Sequence, residues 1–291
     1  MNRSNDPECI QTWEDGLGAP VRMLDRHEDL QECVLLQRQV WGDHFTGIVP
    51  ASLLQASRKV GAIVAGAFCR QSARLQGFVF GLSGPRNGKL AHWSHMLAVS
   101  PEFRGEGVGR RLKLAQREWA LAQGVQEMRW TFDPLVAGNA NFNVNRLGVQ
   151  VEAYQSQMYG DTASDLHSFG TDRVIVCWDL RDEPHQASQP DITDAECSGL
   201  PCVNISAGGT PSVDKAVIRP GEESVRIEIP SDVVRLHRND PELAMQWRLA
   251  TRAAFLDCLA SGYVVSGFHR GGEALQPSYL LQKSGEVTSE T

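Results

Sequence analysis

The 291-residue sequence predicts an α+β fold, with helices layered on both sides (α/β/α) of a mixed, mostly antiparallel sheet. Two observations carry the prediction. Apolar runs at residues 62–69 and 75–82 are separated only by the polar residues 70–74, the pattern of an antiparallel hairpin. The strand-like run at residues 91–99 then gives way, across a glycine-spaced turn, to Val108, Leu112, Ala115, Trp119 and Ala122 at helical spacing, with Gly124 as a stop.

The elements follow in order. Residues 1–20 are polar and rich in turn formers, so a flexible N-terminus is expected, with the ordered chain beginning near Val21. Residues 27–41 carry Leu30, Cys33, Val34, Val40 and Trp41 on a helical stripe, and 51–59 form a shorter helix. The hairpin follows, then a loop at 84–88. In the strand at 91–99, strict alternation puts Trp93, His95, Leu97 and Val99 on one face and Ser94, Met96 and Ala98 on the other. After the 108–122 helix come a strand at 127–132 stopped by Asp133-Pro134, a short helix at 139–147 closed by Gly148, and strands at 149–159 and 173–180. Residues 182–220 are rich in Pro, Ser, Gly and Asp and suggest a linker or long loop. Residues 221–291 resume with a strand at 225–229 and a helix opened by Asp240-Pro241-Glu242 and ended by Gly262. A strand at 263–268 follows, and the expected whole is an accessory lobe with a disordered tail. So small a lobe needs another surface to bury against, and the first domain or the second subunit of a homodimer is expected to supply it.

Composition narrows the function. A 42% apolar content fills a core, and a net charge of −7 with pI near 5.6 argues against nucleic-acid or membrane-surface partners. No run of about 18 apolar residues is present, and Met1–Pro7 lack a signal-peptide core, so a cytoplasmic location is expected. Seven cysteines, an odd number, suit reduced thiols, and Cys197 with Cys202 lack the neighbouring ligands that zinc needs; no metal is expected.

The turn is the chemical centre. Gly105, Gly107 and Gly109 let backbone N–H groups approach a ligand at the positive end of a helix, a cradle suited to a diphosphate. The spacing fits neither G-x-G-x-x-G nor a P-loop. Arg-x-x-Gly-x-Gly at 104–109, preceded by Leu97-x-Val99-x-Pro101, resembles the acyl-CoA signature of the GNAT N-acyltransferase superfamily. The order of elements over residues 21–181 is similar to the GNAT plan, which marks that span as the catalytic domain. The resemblance implies acetyl-CoA or a related acyl-CoA as cosubstrate, held by Arg104, Gly105, Glu106, Gly107, Val108, Gly109 and Arg110. It also implies splayed central strands, with the pantetheine arm pairing along Leu97 and Val99, and direct attack by an amine on the thioester.

For the base, His95 stands on the strand that faces the thioester, and an imidazole titrates near neutral pH; the arylalkylamine branch of the superfamily has a His at a matching place. The usual leaving-group tyrosine, aligned on Gly148, falls at Val144, so the acid is assigned to Tyr154, with Tyr159 or water as alternatives. Asn139 is the amide chosen to contact the CoA arm. Arg129, Arg146 and Arg173 could pair with an acceptor carboxylate. Segments at 131–135, 145–148, 172–173 and 262–268 resemble a bacterial GNAT subgroup of predicted acyltransferases, some linked to amino-acid N-acylation with succinyl-CoA. The expected activity is transfer of an acetyl or other short acyl group to the primary amine of a small molecule. The rival is an acyl-CoA-binding sensor without turnover.

Overall fold

The computed structural model describes residues 12–15, 20–160, 170–182, 192–206, 208–212 and 218–284. The chain forms two compact units, one from residues 1–130, 162–165 and 178–184, the other from 131–161, 166–177 and 185–291. These do not follow the expected boundaries at 181 and 221.

In the first unit, β1 (Thr12–Trp13), β2 (Val21–Met23), β3 (Ile63–Phe68), β4 (Leu75–Arg86), β5 (Lys89–Val99) and β6 (Glu127–Phe132, its last two residues beginning the second unit) line up in sequence order. All neighbours are antiparallel except β5 and β6, which run parallel. The strands β1 and β2 are too short to show a period in the sequence. Residues 84–88, expected as a loop, instead carry the β4–β5 hairpin through to Arg86↔Lys89. Asn87 (φ 51°) and Gly88 (φ 75°) supply the left-handed pair that a two-residue hairpin turn requires.

Helices α1 (His27–Trp41) and α2 (Ala51–Lys59) cover one face, where Leu30, Cys33, Leu36 and Leu54 meet Val64, Phe78, Phe80, Met96 and Ala98. Gln37 is fully buried among them because it closes a ring of two hydrogen bonds with the backbone of Val49, at 3.1 and 2.7 Å. On the other face lies α3 (Val108–Ala122), with Val108, Leu112, Ala115 and Trp119 buried as expected. Ala122 is exposed, because the helix ends there before turning inward again.

The second unit begins with a short helix, α4 (Ala137–Ala140), which continues as a π-helical stretch, Asn141–Leu147, and is closed by Gly148 in the left-handed region (φ 69°). β7 (Gln150–Gln155) and β8 (Arg173–Asp179) pair antiparallel. Then come α5 (Asp194–Ser198), β9 (Ser224–Glu228), α6 (Val233–Asn239), α7 (Pro241–Ala260), β10 (Tyr263–His269) and β11 (Ser278–Lys283). Asp240 caps α7 through the Leu243 amide at 2.9 Å, with Pro241 in the first turn, as its sequence indicates.

Residues 278–283, where no element is expected from the sequence, form the middle strand of a β10-β11-β9 sheet. Tyr279 explains why: fully buried, it packs edge-on against Phe255 and Phe268 with centroids 4.9 Å apart, and its hydroxyl donates to the Pro134 carbonyl at 2.8 Å. The C-terminal elements therefore share a core with residues 131–177 instead of forming a lobe of their own. The expected N-terminal and linker segments lie largely outside the described residues. Among the described residues no helix is long and apolar enough to cross a membrane.

Candidate active site

After β5 the chain makes one 3₁₀ turn, Pro101–Phe103, and then an exposed loop, Arg104–Gly107, before α3. Gly105 (φ 84°) and Gly107 (φ 78°) are both left-handed, and a Cβ on either would meet nothing within 4 Å. The glycines are thus required by backbone conformation and not by crowding, and the space in front of the loop is open. Gly107 is the N-cap and no side-chain oxygen caps the helix; the first bond of α3 runs from the Arg111 amide to the Gly107 carbonyl at 3.1 Å. The leading amides of Val108, Gly109 and Arg110 are those that helix geometry leaves without intrahelical acceptors. Val108 anchors the turn by burying its side chain, while the side chains of Arg104 and Glu106 are exposed. Together these features suit an anionic group.

The strand that leads into this loop has an irregularity that the sequence concealed. Phe80 pairs with Met96 but Gly81 pairs with Ser94, so His95 is an extra residue, a β-bulge. Because directly opposed residues share a face, the bulge swaps the pattern. His92 and Ser94 lie on the α3 face with Gly81; beyond the bulge Leu97 and Val99 take that face with Val79 and Gly77, and Met96 and Ala98 turn toward α1. His95 therefore does not share a face with Leu97 and Val99, as unbroken alternation implied. It sits edge-on to Phe80 of the α1 face, centroids 5.9 Å apart. Its ring is exposed to solvent at one side, yet enough protein surrounds it that desolvation lowers its pKa from the ordinary imidazole value.

The β5–β6 ladder holds only three rungs, Ala91↔Glu127, His92↔Met128 and Trp93↔Arg129. From Ser94 onward β5 has no ladder partner on its β6 side among the described residues, so the backbone edge past Leu97 and Val99 is open on that side. This is the parting of central strands that the resemblance implied.

Tyr154 and Asn139 belong to the second unit. The Tyr154 hydroxyl donates to the Asp172 carboxylate at 2.6 Å, its ring stacks on Phe255, and only 7% of the residue is exposed. Burial, with the Asp172 charge beside it, raises its pKa far above that of a free phenol. The proton that the sequence assigned to a leaving thiolate is thus engaged in a structural hydrogen bond, and Tyr154 is a poor donor. Asn139 is exposed, and its carbonyl accepts from Asn143 Nδ2 at 2.8 Å. Asn145, in the same amide-rich run, has a clear structural part: it exchanges two hydrogen bonds with the backbone of Phe268, at 2.7 and 3.1 Å. Of the arginines considered for an acceptor carboxylate, Arg129 pairs with Glu127 at 2.7 Å, and Arg173 is buried 3.7 Å from Asp133.

A buried polar cluster on the α3 face escaped the sequence reading. Lys113 Nζ donates to Ser94 Oγ at 2.7 Å, Ser94 Oγ donates to Gln116 Oε1 at 2.8 Å, and Gln116 Nε2 meets His92 Nε2 at 3.0 Å. His92 Nδ1 lies 2.9 Å from Ser83 Oγ. Burial and the nearby Lys113 charge push the His92 imidazole down to about 3, and burial takes Lys113 well below a free lysine. Gly81 makes room for the cluster, since a Cβ there would stand 2.2 Å from His92 Nε2. The usable signal was the i, i+3 pair Lys113 and Gln116 on the helix, opposite Ser94 and His92 two apart on a strand.

Residues 36–143, which include the end of α1, the bulged strand and the glycine loop, match the Acetyltransferase (GNAT) family. The match covers 108 of the 291 residues, from the end of α1 through the glycine loop and α3. Similar solved structures include the ribosomal-protein-S5-alanine acetyltransferase from Vibrio fischeri, 14% identical, covering 60% of this chain and 99% of that one at a TM-score of 0.47. A putative acetyltransferase of the GNAT family from Desulfovibrio desulfuricans is 16% identical over 55% of this chain and 98% of its own, TM-score 0.43. A third, yncA, a putative acetyltransferase from Salmonella typhimurium with its cofactor acetyl-CoA, is 17% identical over 58% and 96%, TM-score 0.42. A search among curated proteins finds no match.

Proposed function

We propose that this chain is an N-acyltransferase that moves an acetyl or other short acyl group, such as succinyl, from acyl-CoA to the primary amine of a small molecule such as an amino acid. The observation that carries this reading is the alignment of two openings along one piece of chain. The unpaired edge of β5 beyond Trp93 leads directly into the exposed left-handed loop at Gly105 and Gly107. An extended donor with a diphosphate at one end suits that run: the amides of residues 105–110 take the anion, and the edge by Leu97 and Val99 pairs with the amide-bearing arm as another strand would. Acyl-CoA supplies a thioester carbonyl made reactive by its sulfur.

His95 is the base in this proposal. It stands out of the ladder at the bulge, and its lowered pKa keeps the ring unprotonated near neutral pH, ready to take a proton from the incoming ammonium. A backbone amide near Leu97 or Ala98 is assigned to the charge that develops on the carbonyl oxygen. With Tyr154 bonded to Asp172, the thiolate is assigned a proton from solvent, which a thiol of pKa about 8.5 tolerates.

The test is thiol release from acetyl-CoA and succinyl-CoA against a panel of amino acids and polyamines. Amine-dependent thiol release supports the proposal. Donor binding without it would leave an acyl-CoA-binding module, and release only with a peptide N-terminus would move the acceptor to proteins.

A further inference from the structure

We infer that Lys113 is a positioning residue that sets the opening between β5 and β6, and through it the fit of the donor. The inference rests on the acyl-CoA reading above. The last rung between the strands is Trp93↔Arg129, so the first residues past the fork are Ser94 on one strand and Trp130 on the other. One side chain from α3 touches both. Lys113 Nζ is 2.7 Å from Ser94 Oγ and 3.6 Å from the centroid of the Trp130 ring. It stands at the crotch of the two diverging strands.

The chemistry of this contact is unusual for a core. Lys113 is 2% exposed, and among the described residues no carboxylate pairs with it; its partners are a hydroxyl, the Gln116 amide oxygen at 3.5 Å and an aromatic face. A lysine in that setting is costly, and an apolar side chain of similar length would pack there at lower free energy. What an apolar chain could not do is hold both strands at set distances, since dispersion is non-directional while the hydrogen bond and the cation–π contact each fix a direction. Ser94 is in turn held by Gln116, which also meets His92, so the rungs below the fork are tied to α3 while those above are left open. The bulge residue His95 follows Ser94 directly. The fork and the bulge are thus fixed from one point on the helix whose N-terminus forms the glycine loop.

The experiment compares wild type, K113M, S94A and S94T by acetyl-CoA calorimetry, steady-state kinetics and thermal unfolding. K113M is expected to unfold at the same or a higher temperature than wild type, while donor Kd and donor KM rise about tenfold, as a displacement of under 1 Å in a binding groove can produce. The amine KM should stay as it was and kcat should fall less than donor KM rises. S94A should weaken donor binding in the same direction, and S94T, which keeps the hydroxyl, should restore it. A folded K113M with wild-type donor Kd overturns the inference. If K113M fails to fold, S94A decides, and a wild-type donor Kd in S94A overturns it equally. Wild-type protein that binds no acetyl-CoA sinks both this inference and the acyl-CoA reading; wild-type binding that the variants leave unchanged sinks this inference alone.

Discussion

Arg248 of α7 grips Asp133, 115 residues earlier in the chain, through two hydrogen bonds of 2.8 and 2.7 Å. Arg248 is fully buried and Asp133 nearly so, and four residues on Arg252 makes a similar fork with Asp172, at 2.8 and 2.9 Å. Removing one partner of such a pair leaves an uncompensated charge in the core. R248A and D133N should each destabilise the protein by about 3–5 kcal/mol, and R248M/D133L together by less than the two singles summed. Urea unfolding measures it; additive losses would mean that the two groups act independently.

The glycine loop makes a sharper claim about binding. Gly107→Glu places a side chain and a negative charge where the donor's anion is proposed to sit, and forces a non-glycine residue to φ 78°. Acetyl-CoA affinity should drop at least 100-fold. Gly88→Ala serves as the control, because Gly88 is also left-handed (φ 75°) with open space around it but lies in the β4–β5 turn. It should cost roughly 1 kcal/mol of stability and leave donor affinity alone.

His95→Ala should leave acetyl-CoA binding intact and lower kcat by about 10²–10⁴ at neutral pH, the usual worth of a positioned base. The wild-type profile carries a sign as well. A base must be neutral to act, and the His95 pKa is lowered by partial burial, so the acid limb of kcat/KM should fall away below the pKa of a free imidazole. A limb centred above pH 7, or one that persists in the variant, would remove His95 from the mechanism.

His92 makes a prediction about stability. Its folded pKa is depressed to about 3, so as pH falls below about 6.5 the unfolded chain takes up a proton that the folded chain refuses. The protein should lose stability as pH falls from there toward 3, with a slope approaching about 1.4 kcal/mol per pH unit from this one group. His92→Gln should flatten that slope in urea titrations between pH 4 and 7; an unchanged slope would assign the acid sensitivity to other groups.

Much of the architecture was open to inspection in the residues themselves. Helical spacing located α1, α2 and α3, because each buries one face against the sheet, while short apolar runs and alternation located most strands of the first unit. Asp240-Pro241 and Gly148 marked helix ends for local steric and hydrogen-bonding reasons, and Gly105 and Gly107 marked the loop because few other residues adopt φ near +80° without strain.

Local chemistry ends there. The bulge at His95 adds one residue without breaking the alternation of Trp93, His95, Leu97 and Val99, so only the pairing with β4 reveals that the faces are exchanged. The part played by Tyr154 depends on Asp172, and the burial of Lys113 depends on Ser94 and Trp130, partners set by tertiary packing. β11 gave no strong signal because six residues of mixed character become the centre of a sheet only once β9 and β10 flank them. The sequence by itself determined where this chain turns, caps and bares its backbone, since those are properties of a few adjacent residues. The tertiary structure alone decided which polar side chains are spent on holding the fold, since that depends on partners brought together across tens of residues.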